Sequence, residues 1–169
     1  MAQSVNLKGN PVALCGPILN VGDEAPVAYV VTKDLQEIPI GSMDEKVQVI
    51  LTVPSLDTPV CERETKKFNE IMADMSGIKV FIISMDLPFA QNRFCESFNI
   101  KNLIVASDFR YRDMEKYGVL ISEGVLKGLL ARAIFIVDRQ GKIAYIQMVP
   151  EITEEPNYEE VLAKVKELL

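Results

Sequence analysis

Two near-continuous apolar runs, VQVILTV (Val47–Val53) and IKVFIIS (Ile78–Ser84), constrain this chain more than any other feature. Both are rich in β-branched residues and neither alternates cleanly with polar ones, the pattern of strands covered on both faces. Between them Phe68, Ile71, Met72 and Met75 recur at i, i+3, i+4 and i+7, so the connection is an amphipathic helix, ended by Gly77. A buried strand, a helix and a second buried strand make a parallel β-α-β unit.

The other segments extend that unit. The stretch GNPVALCGPILNVGDEAP (9–26) is rich in turn residues, and the short apolar pieces within it predict an early hairpin. VAYVVT (27–32) reads as a strand, followed by a turn at Lys33-Asp34 and a short extended piece from Ile38 to Ile40. A helix is expected from about Ala90 to Phe98 with Phe94, Cys95 and Phe98 on one side. LIVAS (103–107) is a short strand and residues 112–117 a short helix. RAIFIVD and KIAYIQMV flank Arg139-Gln140-Gly141 as a hairpin, and NYEEVLAKVKELL closes the chain as an amphipathic helix. This order predicts an α/β protein resembling the thioredoxin fold: a central mixed sheet, flanking helices and an N-terminal β-hairpin extension. No repeat, linker or low-complexity stretch interrupts residues 1–169, so one domain is expected.

Composition removes whole classes of chemistry. The chain has no histidine, so Ser-His-Asp and Cys-His hydrolases lack their usual general base. Its three cysteines, Cys15, Cys61 and Cys95, are far apart in sequence, which provides neither a four-ligand zinc site nor a C-x-x-C dithiol. Lys67 stands where a C-x-x-x-x-x-R phosphatase loop needs arginine. With 24 acidic and 18 basic residues the net charge is -6, and Lys66-Lys67 is the nearest thing to a basic cluster. No nucleic-acid or membrane partner is therefore expected. The start, MAQSVNLKGNPVALCG, lacks the charged and apolar regions of a secretory signal, and a cytoplasmic location is expected.

Cys61 stands out by position. Thr58 suits a helix N-cap and Pro59 the first helical residue, which puts Cys61 in the first turn. Unsatisfied backbone N–H groups and the helix dipole there favour a thiolate. A small buried cysteine at a helix start produces the same pattern, so position alone leaves both readings open. Likewise Cys95, beside Phe94 and Phe98, fits a core residue, and Cys15 fits simple packing. The acidic pair Glu154-Glu155 fits a solvated loop better than acid–base catalysis.

Pro54-x-x-x-Thr58-x-x-Cys61, set between a buried strand and a helix, resembles the active-site motif of peroxiredoxins. SLDTPVCERET, RFC (93–95), KYGV, GLLARAIFIVD and EITEEPNYEEVL extend the likeness over nearly the whole chain, toward the bacterial, atypical two-cysteine thiol peroxidase branch. The resemblance implies that Cys61 is the peroxidatic cysteine and Cys95 the resolving one, joined in an intramolecular disulfide. It implies that Thr58 and Arg132 complete the site and that Pro54 shields the thiolate. It further implies hydroperoxide substrates, including bulky alkyl or lipid ones, thioredoxin as reductant, a homodimer, and no metal or haem cofactor. A redox sensor using the same cysteines, or a thioredoxin-like binding module, are the competing readings.

Simple arithmetic indicates what such an enzyme needs. A thiol of ordinary pKa is about 3% thiolate at neutral pH, and lowering its pKa by about 2.5 units raises that share roughly thirtyfold. Nucleophilicity falls with basicity by roughly ten- to twentyfold over the same range. Thiol activation nearly cancels, so the acceleration must come from charge stabilisation as the O–O bond breaks. Arg132, with a permanent charge and planar donors, is the residue suited to it.

Overall fold

The computed structural model describes residues 3–72 and 74–169. In chain order the strands are β1 (Ser4–Leu7), β2 (Asn10–Cys15), β3 (Ala28–Thr32), β4 (Glu37–Ile40), β5 (Val47–Thr52), β6 (Ile78–Ser84), β7 (Ile104–Ser107), β8 (Leu120–Ile121), β9 (Ala133–Val137) and β10 (Ile143–Met148). The helices are α1 (Pro59–Met72), α2 (Pro88–Phe98) and α3 (Tyr158–Leu168), with a 3-10 turn at Asp113–Tyr117. Seven strands form a mixed sheet in the order β10-β9-β5-β6-β7-β3-β4, and β1, β2 and β8 form a smaller sheet.

The two apolar runs occupy the middle of the large sheet. β5 and β6 pair in parallel, β6 and β7 likewise, and β9 joins the other side of β5 antiparallel. Every residue of β5 is buried because alternate side chains enter different cores. Val49 and Leu51 pack with Phe68 of α1, Phe94 of α2 and Val161 of α3. Ile50 faces the other way, toward Val5, Leu14, Met114 and Tyr117 of the hairpin and the 3-10 turn. The α/β architecture expected from the sequence is the one observed.

Local departures have local causes. The hairpin expected within residues 9–26 is instead formed by β1 and β2, with Leu7 opposite Asn10. Lys8 and Gly9 both have positive φ, as a two-residue turn requires to match the strand twist. α2 starts at Pro88 rather than near Ala90, since proline's fixed φ suits the first helical position. α1 ends at Met72, so Met75 packs against the helix-side core from beyond the helix.

α1 carries Cys61 at one end and is anchored by Phe68, which has no exposed area and packs at a tilt of 59° against Tyr158 with centroids 5.2 Å apart. Removing a fully buried aromatic ring costs about 3–5 kcal/mol. Phe68→Ala should therefore lower the denaturant midpoint strongly with an unchanged slope. A shift too small to resolve in urea unfolding would mean that α1 is held mainly elsewhere.

Candidate active site

The loop from β5 to α1 builds one side of the site. The Cys61 N–H donates to Thr58 Oγ1 at 3.4 Å, the bond of an N-cap, while Thr58 Oγ1 donates to the Ser55 carbonyl at 3.0 Å. The Glu62 N–H then reaches the Thr58 carbonyl at 2.9 Å, the first bond of the helix. Cys61 lies in the first turn with its side chain wholly buried, and its carbonyl accepts from Thr65 Oγ1 at 2.8 Å.

The sheet brings Arg132 to the same place. Thr52 of β5 pairs with Ala133 of β9, and Thr52 Oγ1 donates to the Ala131 carbonyl at 2.8 Å. The Arg132 carbonyl accepts the Val149 N–H at 3.0 Å, which fixes the backbone on the other side. The side chain is only 2% exposed. Its Nη1 lies 3.3 Å from Cys61 Sγ and 2.6 Å from Glu64 Oε2, while Nε and Nη2 both donate to the Ile152 carbonyl, at 3.1 and 2.9 Å.

The electrostatics follow from this packing. Burial works against the charge of Arg132, but the Glu64 carboxylate and the Cys61 sulfur outweigh it and hold the guanidinium above its usual range. Burial pushes Glu64 up to about 7, with Arg132 opposing. Glu64 Oε1 has no hydrogen-bond partner among the described residues, which is consistent with a carboxyl that ionises at a cost. Glu64 and Cys61 thus compete for one cation.

A pocket of about 250 Å³ opens over this cluster. Leu7, Pro54, Val60, Leu126, Leu129 and Ile152 give it an almost wholly apolar wall, and Thr58 and Arg132 reach its lining. A larger hollow of about 590 Å³, around Asp44, Lys79 and Arg139, is lined by none of the three cysteines.

Of the residues singled out from sequence, Pro54, Thr58, Cys61 and Arg132 come together here. Cys95 lies on α2 as a buried free thiol in the same helix-side core as Cys61, and burial pushes its pKa up. Cys15 is a half-buried free thiol at the end of β2, directed at the Leu120 carbonyl. Sequence reasoning missed Glu64, the Ile152 carbonyl and Leu7. Glu64 did leave a signal: it falls three residues after Cys61, on the buried face with Thr65, Phe68 and Met72. A backbone carbonyl leaves none.

With its pKa raised from 4.5, Glu64 contributes stability that is present below about 4.5 and lost as pH rises through about 7. Glu64→Gln should therefore gain on the parent in unfolding free energy across that rise. The same change leaves Arg132 to Cys61 alone, so alkylation of Cys61 should quicken near and above pH 7, where Glu64 is ionised, and change little well below it. Slower alkylation would mean that Glu64 serves chiefly to hold Arg132 in place.

Comparison with known proteins agrees over the whole chain. The Redoxin family profile matches residues 20–162. The chain is 74% identical to the thiol peroxidase of Aquifex aeolicus over 169 residues, covering all of both proteins. It is 54% identical to the thiol peroxidase of Campylobacter jejuni over 154 residues, 90% of this chain and 87% of that one. The crystal structure of a peroxiredoxin-like protein from Aquifex aeolicus superimposes with a TM-score of 0.98 at 74% identity, over 100% of this chain and 99% of that one.

Proposed function

Because the chain belongs to the redoxin family and is a thiol peroxidase within it, we propose that Cys61 is its peroxidatic nucleophile, resolved by Cys95 and recycled by thioredoxin. The observation that carries this reading is the buried contact of 3.3 Å between Arg132 and Cys61 Sγ beneath an apolar-walled pocket that Arg132 reaches.

The Cys61 thiolate attacks one peroxide oxygen, the S–O bond forms and the O–O bond breaks. Sulfur is oxidised to a sulfenic acid, and the departing oxygen takes up a proton to leave as water or an alcohol. Arg132 stabilises the negative charge that grows across the breaking bond, and burial strengthens that interaction over its worth in water. Thr58 Oγ1, already accepting from the Cys61 N–H, has a second lone pair for the peroxide O–H. Pro54 keeps water off the sulfur. The apolar wall gives an alkyl chain a surface to bury, which favours organic hydroperoxides over hydrogen peroxide.

The sulfenic acid then condenses with the Cys95 thiol, releasing water and forming a disulfide, which thioredoxin reduces by exchange. A disulfide needs Cα atoms about 4.4–6.8 Å apart. Cys61 and Cys95 are buried on two separate helices, so α1, α2 or both unwind locally for the bond to form. In this reading residues 1–169 act as one domain, in the cytoplasm and as a homodimer, in antioxidant defence.

Treating reduced protein with one equivalent of hydroperoxide, then measuring intact mass and mapping peptides, tests the cycle. The expected product has lost two hydrogens, with Cys61 joined to Cys95 within one chain and Cys15 free. Oxygen added to Cys61 alone would remove Cys95 as the resolver, and an unreacted Cys61 would sink the reading. Arg132→Ala should slow peroxide reduction far more than alkylation by a neutral reagent. Equal slowing of both would mean that the arginine acts only on the thiolate.

A further inference from the structure

A run of polar contacts leads from Cys61 to the helix that bears Cys95, and beyond Thr58 the catalytic roles above do not use it. The Cys61 N–H donates to Thr58 Oγ1, and Thr58 Oγ1 donates to the Ser55 carbonyl. Ser55 Oγ donates to Asp86 Oδ1 at 2.7 Å, and the Leu56 N–H to Asp86 Oδ2 at 2.8 Å. The same Oδ2 accepts from Ser84 Oγ at 2.7 Å, and Ser84 Oγ accepts from Gln91 Nε2 at 3.1 Å. Gln91 lies on α2 one turn before Cys95, on its buried face, and is itself fully buried.

Asp86 is the only acid in this chain of contacts, and both its oxygens are engaged. One carboxylate therefore holds the loop ahead of the peroxidatic cysteine and, through Ser84, the helix that bears Cys95. Bonds to a charged acceptor are the stronger kind. Asp86 also sits two residues before Pro88, where α2 begins, so it lies at the joint about which that helix would have to move.

We propose that Asp86 is a positioning residue that locks the Ser55–Thr58 loop and the start of α2 into the arrangement that reacts with peroxide. This rests on the reading of Cys95 as the resolving cysteine. Holding the loop keeps Thr58 aimed at the Cys61 N–H, which serves the first chemical step. Disulfide formation needs the two helix segments to part from that arrangement, so the same bonds oppose the second step. Asp86 thus sets the balance between reaction with peroxide and condensation of the sulfenic acid with Cys95. The balance also governs damage. A sulfenic acid held longer meets a second hydroperoxide, takes its oxygen to become a sulfinic acid, and releases another alcohol.

The test follows both steps separately by rapid mixing in the parent, Asp86→Ala, Asp86→Asn and Ser55→Ala. Each variant is first compared with the parent by circular dichroism and thermal unfolding. Loss of hydrogen bonds to a charged group gives Asp86→Ala about tenfold slower oxidation of Cys61 and several-fold faster disulfide formation. The peroxide concentration that converts half of Cys61 to sulfinic acid should rise. Ser55→Ala, which cuts one arm only, should shift both steps in the same directions by less, and Asp86→Asn should lie nearer the parent. Unchanged rates, or both steps slowed together with loss of stability, would overturn the proposal. A parent protein that forms no Cys61–Cys95 bond would overturn it through the underlying reading, and peptide mapping of the parent separates that outcome from failure of Asp86 alone.

Discussion

The guanidinium of Arg132 is a cation almost without access to water, and the surrounding structure is arranged to satisfy it. An isolated buried charge is too costly to keep, so each of its donors must find a partner. Those partners come from segments far apart in the chain: Glu64 and Cys61 on α1, and the carbonyl of Ile152 beyond β10. The site therefore exists only when the central sheet, α1 and the 150–153 segment are all in place. The geometry of the site and the fold share one constraint.

The N-terminal hairpin serves that constraint from outside. Asn6 exchanges backbone bonds with Pro150 and Ile152, which steadies the carbonyl that Arg132 uses. The Glu151 carboxylate accepts from the backbone N–H groups of Gly9, Lys8 and Thr153, and these bonds hold its pKa down to about 2. The clamp fixes the turn between β1 and β2, and the same hairpin contributes Leu7 to the pocket wall. A segment that looks like an appendage to the thioredoxin-like sheet thus reaches both the carbonyl that holds the arginine and the wall of the apolar pocket.

Much of this was legible beforehand. Val47–Val53 and Ile78–Ser84 could only be strands covered on both faces, and the stripe between them could only be a helix lying on that sheet. Thr58-Pro59 is a local helix-start signal that needs no tertiary information, so Cys61 could be put in the first turn. The hairpin was misplaced because turn residues abound across 9–26, while the deciding feature was the positive φ of Lys8 and Gly9. Pairing partners depend on such backbone geometry more than on composition.

The sequence by itself determined the α/β order, the absence of an imidazole base and the placing of one cysteine at a helix N-terminus, because periodicity, composition and capping are local properties. Only the tertiary structure decided that Arg132 meets Cys61, that Glu64 competes for it, that a backbone carbonyl anchors its far side and that Asp86 ties the two cysteine-bearing elements together. Apart from the Ser84–Asp86 link, each of those contacts joins residues roughly one helix or more apart in the chain, or depends on a group that every residue carries. Their meeting is set by strand register and by the need to partner buried charge, which no local pattern encodes.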